Sequence, residues 1–491
     1  MKKQFLISVL ISCQIILAQA QSNEIGSGIS LKFTTNQYVD LGNVFDDLDF
    51  PFTFETWINP SLLPVSRSGI FTTDNDFTDY AGWYVRLTSA GKIEIEFGNG
   101  FGSGFQYRRG FVTSSSILLN KWTHVAIVCN SITNIDIYFN GINQSIVPTD
   151  GISSSTDIFH SPAPASIGKY SNVFASQYMD GQLDEIRLWN IARGENKIRN
   201  FMCQKADPSE PNLIAYWKAD ESYVSNTVND YTVPAENGTI IGSVLKINSG
   251  APIGDKSNLE YTSDWSGKKI VVNTSTGDEF MVKNISGTPA GVHVYYVNSA
   301  PYSTTGLGDN PGYYFGAFCA TVSSPASYKV RYSYSPSNGL IDFENEDQAA
   351  LGGRSDNSIN SWSNINAKLD TIDNTLARFN QASRGEYILN IAAPEKLIQS
   401  PTVAVSQFSN SEISAFPNPS DNLVSFSIQP KLSGDLTFNI MSISGQLIKT
   451  IHQKNAGNLL TVDVSDLSSG IYLVKVITTD KIICGKFEVQ K

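Results

Sequence analysis

Catalysis needs a poised acid, base, nucleophile or metal, and residues able to supply one are sparse in this 491-residue chain. Its four histidines, His124, His160, His293 and His452, stand in separate regions, so no Ser/His or Cys/His pairing is suggested. There is no His-Glu-x-x-His, no Gly-x-Ser-x-Gly and no phosphate-cradling Gly-x-x-x-x-Gly-Lys-Ser/Thr. One arrangement could still do acid–base work. In Ile93-Glu94-Ile95-Glu96-Phe97 the two carboxylates alternate, which puts them on one face of a strand, and carboxylates about 5 to 9 Å apart hydrolyse glycosides. The next alternate position is Gly98, however, and any solvent-facing strand has the same pattern. The expectation is a protein that is not an enzyme, with a glycosidase using Glu94 and Glu96 as the alternative.

Binding is better supplied than catalysis. Hard divalent cations need several oxygens on one loop, and Asp74, Asn75, Asp76 and Asp79 offer three carboxylates and an amide within six residues. Calcium is the expected cofactor there, against a plain solvated turn; a second acidic loop, Asp46-Asp47-Leu48-Asp49, lies upstream. Aromatic rings stack on sugar faces, and Trp83, Phe101, Phe105 and Tyr107, with Arg108, lie in or beside the glycine-rich stretch Gly98 to Gly110. These five are the expected ligand-binding residues; the alternative is a hairpin connection whose rings return to the core.

The elements holding these loops read almost everywhere at period two, with Gly, Asn, Asp, Ser and Pro between the runs. Strands are expected at Phe52 to Ile58, Trp83 to Leu87, Lys92 to Phe97, Trp122 to Val128 and Ile135 to Phe139, and Asn140-Gly141 is a hairpin turn. The fold class is all-β: a jelly-roll sandwich over residues 24–250, a second sandwich over 254–393, a linker at 394–411 and a small immunoglobulin-like sandwich over 412–491. Helix is expected only in short pieces, Glu195 to Phe201 and Ala367 to Asn380. Cys129, Cys203, Cys319 and Cys484 are far apart, which argues against structural zinc. Cys129 with Cys203 is the one disulfide to consider, and buried free thiols are the other possibility.

Lys2 and Lys3 precede the apolar run Phe5 to Leu17, and Ala18-Gln19-Ala20 is a small-x-small cleavage pattern, so residues 1–20 read as a signal peptide. Leu10-Ile11-Ser12-Cys13 also fits a lipoprotein box, although the residues after Cys13 stay apolar. No later stretch approaches the ~18 apolar residues of a spanning helix. The formal charge is −11, and loss of the two lysines makes it −13. That balance disfavours nucleic acid and anionic lipid and suits cations or neutral glycans.

Two resemblances give these modules a context. Phe416-Pro417-Asn418-Pro419, then Ile443-Ser444-Gly445-Gln446, then Ser469-Gly470-Ile471-Tyr472, resemble the C-terminal sorting domain of type IX secretion cargo. The resemblance makes Pro417, Asn418, Pro419, Gly445, Gly470 and Tyr472 the sorting motif, the type IX export machinery a partner, and a secreted or outer-surface location the expectation. Upstream, Phe52-Thr53-Phe54-Glu55-Thr56-Trp57-Ile58, Lys121-Trp122-Thr123-His124-Val125 and Gly181-Gln182-Leu183-Asp184-Glu185-Ile186 look like the laminin-G-like, concanavalin-type fold in its pentraxin-related form. That likeness implies a secreted, adhesin-like protein that binds a glycan or glycoprotein. A matrix component with no small ligand is the structural alternative.

Overall fold

The computed structural model describes residues 27–74, 79–102, 104–149, 157–171, 176–320, 325–342, 345–391, 412–429, 436–442, 447–454, 459–477 and 482–491. Its sheets are antiparallel, as the period-two pattern requires, and they stack in pairs. In the first sandwich one sheet runs Ile142–Gln144, Asn134–Phe139, Thr123–Ser131, Phe52–Pro60, Gly181–Trp189, Ile29–Phe33 and Leu245–Asn248, with Leu213–Trp217 also paired to Gly181–Trp189. The facing sheet runs Ile146–Pro148, Arg108–Thr113, Ile93–Gly98, Trp83–Thr88, Arg67–Thr72, Ala165–Ile167, Tyr38–Gly42, Gly238–Ile241 and Thr227–Val228. Alternation decides what meets between them. Phe52, Phe54 and Ile58 from one sheet pack on Phe71, Trp83, Val85, Ile93, Ile95 and Phe97 from the other.

The second sandwich has a sheet ordered Lys256–Tyr261, Gly291–Val297, Tyr314–Ala320, Arg384–Ile391, Ala349–Arg354 and Ser363–Asn364. Its partner sheet is ordered Lys269–Asn273, Glu279–Ser286, Ser327–Ser333, Thr375–Gln381 and Lys368–Asp370. The last two strands replace the helix expected at Ala367 to Asn380; Thr375–Gln381 pairs with Ser327–Ser333 on one side and with Lys368–Asp370 on the other, so the ladder satisfies its backbone groups. The helix expected near Glu195 forms, over Glu195–Met202.

Residues up to Pro394 form one compact unit and those from Glu395 a second. Within the first unit the junction between the two sandwiches is buried. Ala251 and Ile253 are fully enclosed and pack with Trp57, Met202, Cys203, Phe318 and Ala320. The Trp57 indole donates to the Met202 carbonyl at 2.6 Å, and the Tyr261 hydroxyl donates to the Asn140 carbonyl at 2.8 Å. Cys203 belongs to this seam and Cys129 to the first core, so the disulfide considered from sequence is absent: Cys129, Cys203 and Cys319 are free and buried.

In the second unit Glu412–Phe416, Leu423–Gln429 and Leu459–Asp463 face Leu447–Gln453, Leu436–Ser442, Gly470–Ile477 and Ile482–Val489 across Val424, Phe426, Phe438, Val474 and Phe487. No helix among the described residues is long and apolar enough to cross a membrane.

Candidate functional site

Strand direction gathers the loops that carry the expected binding residues at one end of the first sandwich. Trp83 pairs with Phe97 and Gly98 with Arg108 at one end of their sheet, and the Phe52 ring of the other sheet meets Trp83 at 4.8 Å, so the described residues flanking these strand ends meet there. Main-chain hydrogen bonds tie them together. The Gly82 amide donates to Phe159, the Phe159 amide to Gly98, the Gly100 amide to Tyr80 and the Tyr80 amide to Gly102, at 2.7 to 3.2 Å. Gly98 is required by this packing, since a β-carbon there would stand 2.2 Å from the Tyr80 carbonyl oxygen.

The two acidic loops noticed in the sequence meet around a histidine. Asp74 is buried, takes a positive φ of 49°, and accepts from the Ser161 amide at 2.6 Å and from His160 Nδ1 at 3.1 Å. His160 Nε2 lies 3.7 Å from Asp49. The Asp74 hydrogen bond, against partial burial, raises the imidazole above its usual value and favours the charged, bridging form. Neither His160 nor Phe159 was singled out from sequence. The Phe-His-Ser-Pro run looked like any other connection, and only the strand order brings it to Asp74.

The other expected residues separate by burial. Phe101 projects into solvent with 78% of its surface exposed, and Phe159, 47% exposed, packs its ring against Gly100. Tyr107 is half-buried beside Gly102. The Phe105 side chain lies outside the described residues, as do Asn75 and Asp76. Trp83 is a correction: it has no exposed surface and stacks on Phe71 at 5.1 Å within the core, because it points inward from its strand. Arg108 is corrected likewise; it is buried, faces Glu96 at 3.5 Å and lies over Tyr80. Both Asp74 oxygens are engaged, Asp79 is half-buried, and no group of three or more His, Cys, Asp or Glu among the described residues is arranged to hold a metal.

Glu94 and Glu96 do share the outward face of Ile93–Gly98, but they are buried there. One Arg86 nitrogen lies 2.8 Å from Glu94 and 2.6 Å from Glu96, and Arg67 holds Glu94 at 2.7 Å. Burial, only partly offset by Arg86, raises the Glu96 carboxyl above its usual range. The strand Lys169–Ser171 crosses over this face and packs Tyr170 on Tyr84 and Arg86. A β-carbon at Gly69 would stand 2.1 Å from the Lys169 main chain, so the crossing is in direct backbone contact with the sheet.

In the C-terminal sandwich the sorting residues are tied to the last strand. The Asn418 side chain accepts from the Glu488 amide at 2.7 Å, between Pro417 and Pro419. Tyr472 stacks on Phe487 at 5.7 Å and donates to the Ser468 carbonyl, beside Gly470. Gly445 lies outside the described residues.

Comparison with known proteins fits this division. Residues 33–199 match the family model of the concanavalin A-like lectin/glucanases superfamily, and residues 414–490 match that of the secretion system C-terminal sorting domain. The chain carries a concanavalin A-like domain and a type IX secretion C-terminal sorting domain. Its location is therefore secreted or outer-surface. No curated protein matches it in sequence. Among solved structures it is similar to a candidate carbohydrate-binding protein from Bacteroides ovatus, at 23% identity over 47% of this chain and 63% of that one, with a TM-score of 0.35. It is also similar to a heptameric SAP-like pentraxin from Limulus polyphemus, at 14% identity over 38% and 85% of the two chains, with a TM-score of 0.27. A third likeness is to the CBM40 of a Ruminococcus gnavus IT-sialidase, at 11% identity over 36% and 95%, with a TM-score of 0.27. The chain thus spans under two thirds of the first of these proteins, and no rim residue is assigned from any of them.

Proposed function

We propose that this cargo is a non-enzymatic, adhesin-like protein that captures a neutral glycan or glycoprotein on the loop rim of its concanavalin A-like domain. One observation carries the reading: Phe101 and Phe159 are exposed together on loops already cross-linked by main-chain hydrogen bonds. Exposed rings on a prearranged surface stack on sugar faces without an ordering cost. A formal charge of −11 favours a neutral polymer over an anionic one. The non-enzymatic part is supported by Glu94 and Glu96, whose carboxylates are committed to arginines beneath a crossing strand.

Calcium enters this reading as a second occupant of the rim, through Asp74 and Asp79. To bind there it would have to displace the His160 and Ser161 contacts of Asp74. The test is retention of the full-length mature chain on immobilised glycans, with calcium and with a chelator. Phe101→Ala with Phe159→Ala is expected to reduce retention at least tenfold, since one stacked ring contributes about 1 kcal/mol. Equal retention of variant and parent overturns the rim, and equal retention with chelator removes calcium. Sugar release that disappears in Glu96→Gln would establish the glycosidase instead.

A further inference from the structure

The seam between the first two sandwiches holds two fully enclosed histidines, neither of which belongs to the rim. His124 leaves the outward face of Thr123–Ser131 beside Trp57, ring centroids 5.4 Å apart. Trp57 meets Phe318 of the second sandwich at 5.5 Å, and Phe318 meets His293 at 6.4 Å. His293 has no exposed surface and His124 is 2% exposed. Each ring has a polar neighbour on one side only among the described residues. His293 Nε2 faces the Tyr261 hydroxyl at 3.0 Å and His124 Nε2 faces Glu55 at 3.5 Å, while both Nδ1 atoms are enclosed without a partner among the described residues.

We propose that this seam is an acid-labile joint, closed while His124 and His293 are neutral and loosened when they take up protons. Protonation turns each Nδ1 into a donor with nothing to receive it, inside an apolar contact. The charges facing His293 worsen the balance, whereas at His124 Glu55 offsets burial in part. Around His293 stand Arg199 of the helix Glu195–Met202 and His124 itself, with the Tyr261 hydroxyl as its hydrogen-bond partner among the described residues. Arg199 is paired to Glu195. Around His124 stand Arg187 and Arg193, and the carboxylate within reach, Glu55, is already held by Arg193.

The linkage has a definite sign. Burial, then His124 and Arg199, depress His293 to about 3, below its value of 6.5 when free. The unfolded or opened form therefore binds the proton more tightly, and closure weakens as pH falls from 6.5 towards 3. At pH 5 this favours opening by roughly thirtyfold relative to neutral pH.

The buried thiols read the joint directly. Cys203 lies in the seam and Cys129 inside the first core, so their labelling rates separate local opening from global unfolding. With the full-length mature chain and a pyridyl disulfide reagent that reacts in acid, the Cys203-to-Cys129 rate ratio is expected to rise at least tenfold between pH 7.5 and pH 5. The rise should vanish in His293→Leu, and in His293→Gln if the apolar variant does not fold. A flat ratio, a parallel rise at Cys129, or the same rise in the His293 variant that folds overturns the proposal.

Discussion

Glu55 shows how a single buried carboxylate makes stability depend on pH. Burial alone would raise it, but Arg193, followed by His124, more than offsets this and leaves it at about 2. Because the folded value lies below the free value of 4.5, the contribution is complete above pH 4.5 and is lost as pH falls towards 2. It is on the order of 3 kcal/mol. Urea titrations at pH 6 and pH 3 are expected to show a smaller loss of stability in Glu55→Gln than in the parent. An identical loss would place the acid sensitivity elsewhere. In the sequence Glu55 is one position of the strand expected at Phe52 to Ile58, and nothing local points to its partner Arg193, 138 residues away.

At the scale of elements, the strand pattern was legible wherever one face met a core. Ile93, Ile95 and Phe97 announce an inward face, and they occupy one. What the pattern could not say is whether the other face meets water. Glu94 and Glu96 look solvated in sequence, yet a distant strand covers them, and that crossing depends on long-range topology and on the absence of a side chain at Gly69. Gly69→Val is expected to lower stability by about 1–3 kcal/mol through overpacking against Lys169 and Tyr170. An unchanged urea midpoint would mean the crossing segment shifts freely. The rim was partly legible for the same reason: composition marked the loops around Asp74 and Phe101, whereas the sheet order that adds Phe159 and His160 is non-local. Trp83 was misplaced because a tryptophan beside a glycine-rich loop has the same local sequence whether it points in or out.

At the scale of the molecule, the boundary expected near residues 250–254 coincides with a buried junction, so each of the first two sandwiches covers apolar side chains of the other. Residues 24–250 produced alone would expose Trp57, Met202 and Cys203. Such a fragment is expected to aggregate or to melt well below residues 24–394, as thermal unfolding followed by light scattering would reveal. Equal melting of the two would show the seam to be energetically idle. The order of strands in the second sandwich bears on mechanics. Arg384–Ile391 leads out of it and is flanked on both sides, by Tyr314–Ala320 and by Ala349–Arg354. Its ladder hydrogen bonds lie across the strand axis. Tension entering at Ile391 therefore shears two ladders at once instead of unzipping one bond after another. Stretched along that strand, this sandwich should yield in one abrupt rupture in single-molecule pulling, and a staircase of small yields would show that the strand is peeled.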